Sequence, residues 1–212
     1  MRSLVIGASG GIGGAFQKLL AERGETIGLK RSDGLDVTDE ASVARCLDAL
    51  DGQFDMIVVA TGALGTPEKT LKSFSADAFA RQIAVNAAGP ALVLKHALRF
   101  LPRDRRCVLA VLSARVGSIG DNRLGGWYSY RASKAALNQL LHTASIEIAR
   151  SHRLAVLAAL HPGTVDTNFT AGYGHDKLSA DDAALNLLAV LDSLAPSQSG
   201  EFYDYSGATV PW

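Results

Sequence analysis

A tyrosine and a lysine stand four residues apart in Tyr130-Arg131-Ala132-Ser133-Lys134. On a helix that spacing brings both side chains to one face. The pair suits acid–base work at a carbonyl. A phenol titrates near ~10 and is a poor base at neutral pH, yet hydride transfer to a carbonyl needs a proton donor that can also take the proton back. A cation at ~4 Å in an effective dielectric of ~20 is worth about 4 kcal/mol. That equals about three pKa units, enough to bring the phenol towards neutrality. A Y-x-x-x-K arises easily by chance, so its weight comes from position. It follows an apolar run that ends at Ser113, and before that a helical stretch carrying Asn86. Asn86 could otherwise be a satisfied polar group in a core.

Near the start, Gly7-Ala8-Ser9-Gly10-Gly11-Ile12-Gly13 joins a short β-branched run to a helical one. In that context glycines permit a tight turn and let a pyrophosphate approach N–H groups at a helix N-terminus. A plain strand–helix turn would use the same residues. Gly7, Gly11 and Gly13 fit G-x-x-x-G-x-G, while Gly7, Gly10 and Gly13 fit G-x-x-G-x-x-G. The first belongs to short single-domain reductases. The second belongs to longer sugar-nucleotide enzymes, whose C-terminal substrate region 212 residues leave no room for. About twenty residues on, where an NAD-specific chain holds the ribose diol with a carboxylate, stand Lys30 and Arg31. Two cations suit a 2′-phosphate, so NADP is expected; Asp33 nearby keeps NAD as the alternative.

Positioning these groups requires strands and helices in alternation. Strands are expected over 2–6, 26–30, 35–37, 56–60, 107–112, 154–160 and 201–205, and helices over 11–23, 41–50, 76–100, 130–150 and 181–194. Gly24 would end the first helix, Asp39 would cap the second, and Pro90 would kink the third. Near-continuous apolar runs such as 56–60 read as central parallel strands covered on both faces. The expected architecture is α/β: one Rossmann-like, doubly wound parallel sheet of about seven strands with helices on both faces, in a single domain over 1–212.

Composition narrows the function. Twenty-one basic side chains balance twenty-one acidic ones, which gives no electrostatic case for nucleic acid or an anionic membrane. Hydrophobic residues at 48% and charged residues at 20% describe an ordinary globular chain. No apolar run approaches the ~20 residues that span a bilayer. Leu4-Val5-Ile6 breaks into glycines far short of a leader's apolar region, so a cytoplasmic location is expected. Cys46 and Cys107 have no metal-ligand spacing, and the five histidines form no ligand pattern, so no metal is expected. His161 closes a strand and carries no further signal.

Taken together, these residues resemble the short-chain dehydrogenase/reductase family. The matching elements are the Gly7–Gly13 loop, Asp36-Val37-Thr38, Val58-Val59-Ala60-Thr61-Gly62, Val85-Asn86, Ser113, Tyr130 with Lys134, and Pro162-Gly163-Thr164-Val165-Asp166-Thr167. The stretch from Gly117 to Lys134 is most similar to C-factor-like and carbonyl-reductase-like members. The resemblance implies that Tyr130 is the general acid/base, and that Lys134 lowers its pKa and holds the nicotinamide ribose. It implies that Ser113 hydrogen-bonds the substrate carbonyl and Asn86 holds a water in the proton relay. Asp36, with Val37 beside it, would face the adenine. Ala60, Thr61 and Gly62 would pass the cofactor ribose, and Pro162, Gly163, Val165 and Thr167 would hold the carboxamide side. Gly7, Ser9, Gly11, Ile12 and Gly13 would carry the pyrophosphate. Ile6 replaces the usual threonine before the first glycine, and Ala60 or Thr61 the usual asparagine of Asn-Ala-Gly. An ungapped match puts Ala114 in the acting serine's place; Ser113 is preferred because it ends the strand, with Ser118 as the alternative.

The substrate is expected to be a small carbonyl or alcohol, with Trp127 and Tyr128 as candidate walls and 167–177 as a short lid hinged at Gly172 and Gly174. Phe169 and Tyr173 would give that lid its apolar contact. The family's helix-bundle assemblies imply a homodimer or homotetramer. A cofactor-binding regulatory or signalling protein with little turnover is the alternative function.

Overall fold

Alternation of side chains along each strand decides the layering. In β1 (Arg2–Ile6), Leu4 and Ile6 enter one apolar cluster and Val5 the other. The computed structural model describes residues 1–167, 170 and 177–212. Beside β1 run β2 (Glu25–Leu29), β3 (Met56–Val59), β4 (Cys107–Leu112), β5 (Ala155–His161) and β6 (Glu201–Asp204), all parallel. Their order is β2-β1-β3-β4-β5-β6. One face carries α1 (Gly11–Ala21) and α6 (Ala180–Ser193), whose Phe16, Leu20, Leu187 and Leu191 pack on Val58, Ala110 and Ala158. The other carries α2 (Glu40–Asp48), α4 (Gly89–Ala97) and α5 (Tyr128–Ile148), whose Val43, Val93, Leu137 and Leu141 pack on Ile57, Leu109 and Leu157. The chain leaves β1 for β2 on one side, then crosses back to β3 on the other. That reversal opens a crevice at the C-terminal ends of β1 and β3, the place where open α/β sheets take ligands. Among the described residues, no helix is long and apolar enough to cross a membrane.

The sheet has six strands, not about seven, because 35–37 is not one. Leu35 and Val37 are buried and Asp36 is exposed, which imitates a strand's alternation. The backbone is spent elsewhere. The Asp36 N–H donates to Ser42 Oγ at 2.9 Å, and that hydroxyl donates to the Gly34 carbonyl at 2.6 Å. The two apolar side chains are anchors for a loop, with Val37 against the bare Cα of Gly89.

The helix expected over 76–100 is also broken, one turn earlier than a Pro90 kink suggests. It runs as α3 (Ala76–Ile83), a π turn (Ala84–Ala88), α4 and a 3₁₀ turn (Leu98–Phe100). The Gly89 N–H reaches five residues back to the Ala84 carbonyl. Pro90 has no N–H to give the carbonyl of Asn86 four residues earlier, so the register widens there rather than continuing. Asn86 sits within that turn, fully buried.

Candidate active site

The glycine turn is compressed from three sides. The Gly7 and Ala8 N–H groups both donate to the Leu29 carbonyl at the end of β2, at 2.8 and 3.2 Å. Gly7 has φ +89°, and a Cβ on it would lie 3.0 Å from the Ala60 carbonyl carbon. A Cβ on Gly13 would lie well inside contact distance of the Gly7 carbonyl, and one on Gly11 would stand 2.7 Å from the Thr167 methyl. Only glycine allows the turn to sit this close to β3 and to the segment after β5. The N-terminus of α1 has no side-chain cap and no acidic residue in its first turn. Its unpaired N–H groups therefore face the cleft with their positive end, as an anion site requires.

This cleft has a volume of about 650 Å³. Of the residues expected at a dinucleotide site, it is lined by Ser9, Gly11, Ile12 and Gly13 from the turn, and by Ala60, Thr61 and Gly62 after β3. Ser113, Tyr130 and Lys134 form one wall, and Pro162, Gly163, Val165 and Thr167 line the cleft as well. Gly7 shapes the turn without lining the cleft. Lys30, Arg31 and Asp36 are exposed beyond the end of β2, and the Val37 side chain turns into the core. Within the lid segment, Phe169, Gly172, Tyr173 and Gly174 lie outside the described residues. The residues present fit a bound dinucleotide on one further count: Thr61 Oγ1 is buried in the cleft wall with no hydrogen-bond partner among the described residues. A second hollow of about 660 Å³, near Arg103 and His152 at the opposite ends of the strands, has no tyrosine–lysine pair.

Tyr130 and Lys134 come to one face of α5 and are both buried. Lys134 Nζ donates to the Leu112 carbonyl at 2.8 Å and lies 5.9 Å from the centre of the Tyr130 ring. Burial pushes this ammonium down to about 8. A bare Gly62 opens space in front of it, since a Cβ there would stand 3.6 Å from Lys134 Nζ. Asn86 is fully committed. Its Nδ2 donates to the Ala63 carbonyl at 2.8 Å and to Ser133 Oγ at 3.0 Å, and its Oδ1 accepts from the Ala63 N–H at 2.8 Å. The side chain thus clamps the segment after β3 to α5.

The two candidate serines part company. Ser113 lines the cleft and donates to Asn138 Oδ1 at 2.6 Å. Ser118 is buried elsewhere: it donates to the Pro211 carbonyl and accepts from the Asp121 N–H at 3.0 Å, under a chain end whose Trp212 stacks on Phe202. Tertiary structure withdraws it from the site.

Several residues that sequence reasoning passed over or left without a role also meet here. His161 lines the cleft, and burial pushes it down to about 4, so its ring is neutral in the physiological range. Arg115 lines it too, with its charge held by Asp121 at 2.7 Å and Asp204 at 3.7 Å. Trp127, a candidate wall, lines it too, whereas Tyr128 does not; Trp127 is the one non-glycine residue with positive φ (+55°) among those described, and its N–H donates to the Glu68 carbonyl at 2.6 Å. The Glu68 carboxylate in turn accepts from the hydroxyl and amide of Ser129, in the first turn of α5. Burial alone would raise the Glu68 carboxyl, but these bonds prevail and hold it below the usual range. Glu68 therefore caps the helix bearing Tyr130 from outside that helix. Glu68→Ala is expected to lower stability by about 1–2 kcal/mol in urea titration at pH 7. As a group held below its unfolded value, Glu68 contributes above that value, and the contribution fades as pH falls through the folded one.

Against known proteins, residues 12–192 match the family described as enoyl-(acyl carrier protein) reductase. The chain is 30% identical to 1-hydroxy-2-glutathionyl-2-methyl-3-butene dehydrogenase of Rhodococcus sp. strain AD45, over 99% of this chain and 98% of that one. It is 39% identical to C-signal of Myxococcus xanthus, over 63% of this chain and 78% of that one. A short-chain dehydrogenase/reductase of Burkholderia multivorans solved with bound NADP superposes with a TM-score of 0.86 at 28% identity, covering 100% of this chain and 99% of that one. With the glycine turn, the tyrosine–lysine pair and the parallel sheet in one arrangement, the chain belongs to the short-chain dehydrogenase/reductase family of oxidoreductases, in its C-factor-like branch.

Proposed function

We propose that this protein interconverts a small carbonyl compound and its alcohol, with NADP as hydride carrier. The observation that carries the reading is the buried Lys134 ammonium 5.9 Å from the Tyr130 ring, in the same cleft as the glycine turn. A cation beside a phenol favours the phenolate over the neutral form. Tyr130 would give the carbonyl oxygen its proton and recover it in reverse. Ser113 would orient that oxygen. Asn86, its side chain spent on Ala63 and Ser133, would serve a relay water only through its backbone carbonyl, which Pro90 cannot bond. When bound, the dinucleotide supplies or accepts the hydride; the α1 N-terminus would hold its pyrophosphate. Leu64, Val116 and Trp127 give the substrate end an apolar wall, which favours an apolar carbonyl without phosphate.

Preference for NADP follows from the end of β2. Lys30 and Arg31 are exposed there, and the Asp33 carboxylate, the group that could hold a ribose diol, accepts from the Lys30 N–H at 3.1 Å instead. The Burkholderia relative's bound NADP agrees. Arg31→Ala is expected to weaken NADPH about tenfold and leave NADH unchanged, as read by nicotinamide fluorescence. Titrating NADPH and NADH in parallel, then screening carbonyls with the tighter one, tests the whole reading. NADPH binding with no turnover across the panel would favour the second reading, a regulatory protein, to which the similarity to C-signal points. Exposed Leu140 and Ile146 on α5 suit a homodimer or homotetramer, and unpaired Cys46 and Cys107 suit a reducing cytoplasm.

A further inference from the structure

Behind the cleft, one hydrogen bond runs the wrong way for carbonyl chemistry. Ser113 Oγ donates to Asn138 Oδ1, and both residues are buried, at 4% and 2% exposure. A hydroxyl has one proton. Given to Asn138, it cannot also be given to a carbonyl oxygen in the cleft that Ser113 lines. The same arrangement leaves Asn138 Nδ2 buried with no partner among the described residues. An unpaired buried donor costs about 1–3 kcal/mol. Half a turn of the carboxamide exchanges its oxygen and nitrogen at nearly the same positions. Nδ2 then donates to Ser113 Oγ, and the serine proton is released towards the cleft. What remains unpaired is a carbonyl oxygen, which proteins leave under-satisfied more readily than an N–H.

We propose that Asn138 is a positioning residue whose side-chain amide directs the Ser113 hydroxyl proton at the reacting oxygen. This rests on the role given to Ser113 above. Helix periodicity supplies the geometry: Tyr130, Lys134 and Asn138 recur every four residues on the buried face of α5. The first two serve the proton transfer, and the third governs the serine at the end of β4. No bond to carbon forms or breaks in this step; the proton stays on Ser113 and only its direction changes. An amide can do this because it carries donor and acceptor on one rotor. A carboxylate in its place could only accept, and would hold the serine proton away from the substrate.

The test uses the NADPH-loaded protein with a carbonyl that it reduces. Asn138→Asp is expected to cut kcat about a hundredfold, the cost of losing one oxyanion donor, with NADPH affinity near wild type and a melting temperature lowered by the buried carboxylate. Asn138→Leu frees the hydroxyl to rotate, and is expected to cost about tenfold. In a Ser113→Ala background, Asn138→Asp should add less than about threefold, because its effect passes through Ser113. An Asp variant at least as active as the Leu variant, or one whose full cost survives without Ser113, overturns the proposal. Should the Asp variant not fold, ¹⁵N-asparagine labelling of the NADPH-bound protein decides. Ser113→Ala should move the Asn138 side-chain amide protons upfield, and unmoved protons reject the inference. Wild-type turnover in Tyr130→Phe would remove the proposed proton donor, and with it the site reading on which this inference rests. Absent coupling between positions 113 and 138, in an enzyme that needs Tyr130, removes this inference alone.

Discussion

Tyr130→Phe is expected to cut carbonyl turnover about 10³-fold while NADPH binds within about twofold of wild type. The substitution deletes one hydroxyl and keeps the ring, which is buried at 6% exposure and meets the Trp127 ring at 6.1 Å between centroids. Packing is therefore preserved, and the loss falls on proton transfer, for which a positioned acid is worth about 10²–10⁴. The Gly7–Gly13 turn, proposed to hold the pyrophosphate, would do so through backbone N–H groups and does not depend on that hydroxyl. Single-turnover reduction followed by nicotinamide absorbance, beside a fluorescence titration, separates the two effects. Turnover surviving at the wild-type rate would mean that another group supplies the proton.

Lys134→Met should abolish turnover by a similar factor and yet raise the melting temperature at pH 7. Burial has brought this ammonium from 10.5 to about 8, so keeping it charged inside the fold at pH 7 costs about 3 kcal/mol. Methionine fills similar space without that cost. It forfeits the charge-assisted bond to the Leu112 carbonyl, worth about 2 kcal/mol, so a net gain of about 1 kcal/mol remains. The sign of the pH dependence follows from the same shift. Below about pH 8 both folded and unfolded chains hold the proton. Between about 8 and 10.5 the unfolded chain alone holds it, so wild-type stability rises with pH through that window. Calorimetry of both proteins from pH 7 to 10 reads this directly: the rise should be present in wild type and missing in the methionine variant. Reduction by the wild-type enzyme should decline above about pH 8, as the cation that favours the phenolate is lost. A methionine variant that melts well below wild type at pH 7 would show that Lys134 holds the fold together rather than straining it.

Much of the cleft was legible because its parts are local. The glycine turn, the four-residue spacing of Tyr130 and Lys134, and the apolar strand ends each announce themselves within a short window, where backbone sterics and helix period apply. Asn138 was within reach of the same reasoning, one more helical step beyond Lys134, but an asparagine on a helix gives no sign of its partner until β4 delivers Ser113 to it. The strand expected over 35–37 failed for a related reason. Burial of Leu35 and Val37 is a period-two signal, yet whether a ladder or the Ser42 hydroxyl takes the backbone bonds depends on what packs alongside.

The amino-acid order by itself determined the parallel sheet, the turn that can admit a pyrophosphate, and the helix face that unites a phenol with an ammonium, because these follow from periodicity and from glycine's lack of a side chain. Tertiary structure alone decided that Ser113 rather than Ser118 reaches the cleft, since the chain end carrying Pro211 closes over the latter. It alone made Asn86 a clamp, brought Glu68 to the start of α5, and buried Lys134 deeply enough to shift its titration. Each of these depends on which groups distant in the chain become neighbours, and on how much water they exclude once they meet.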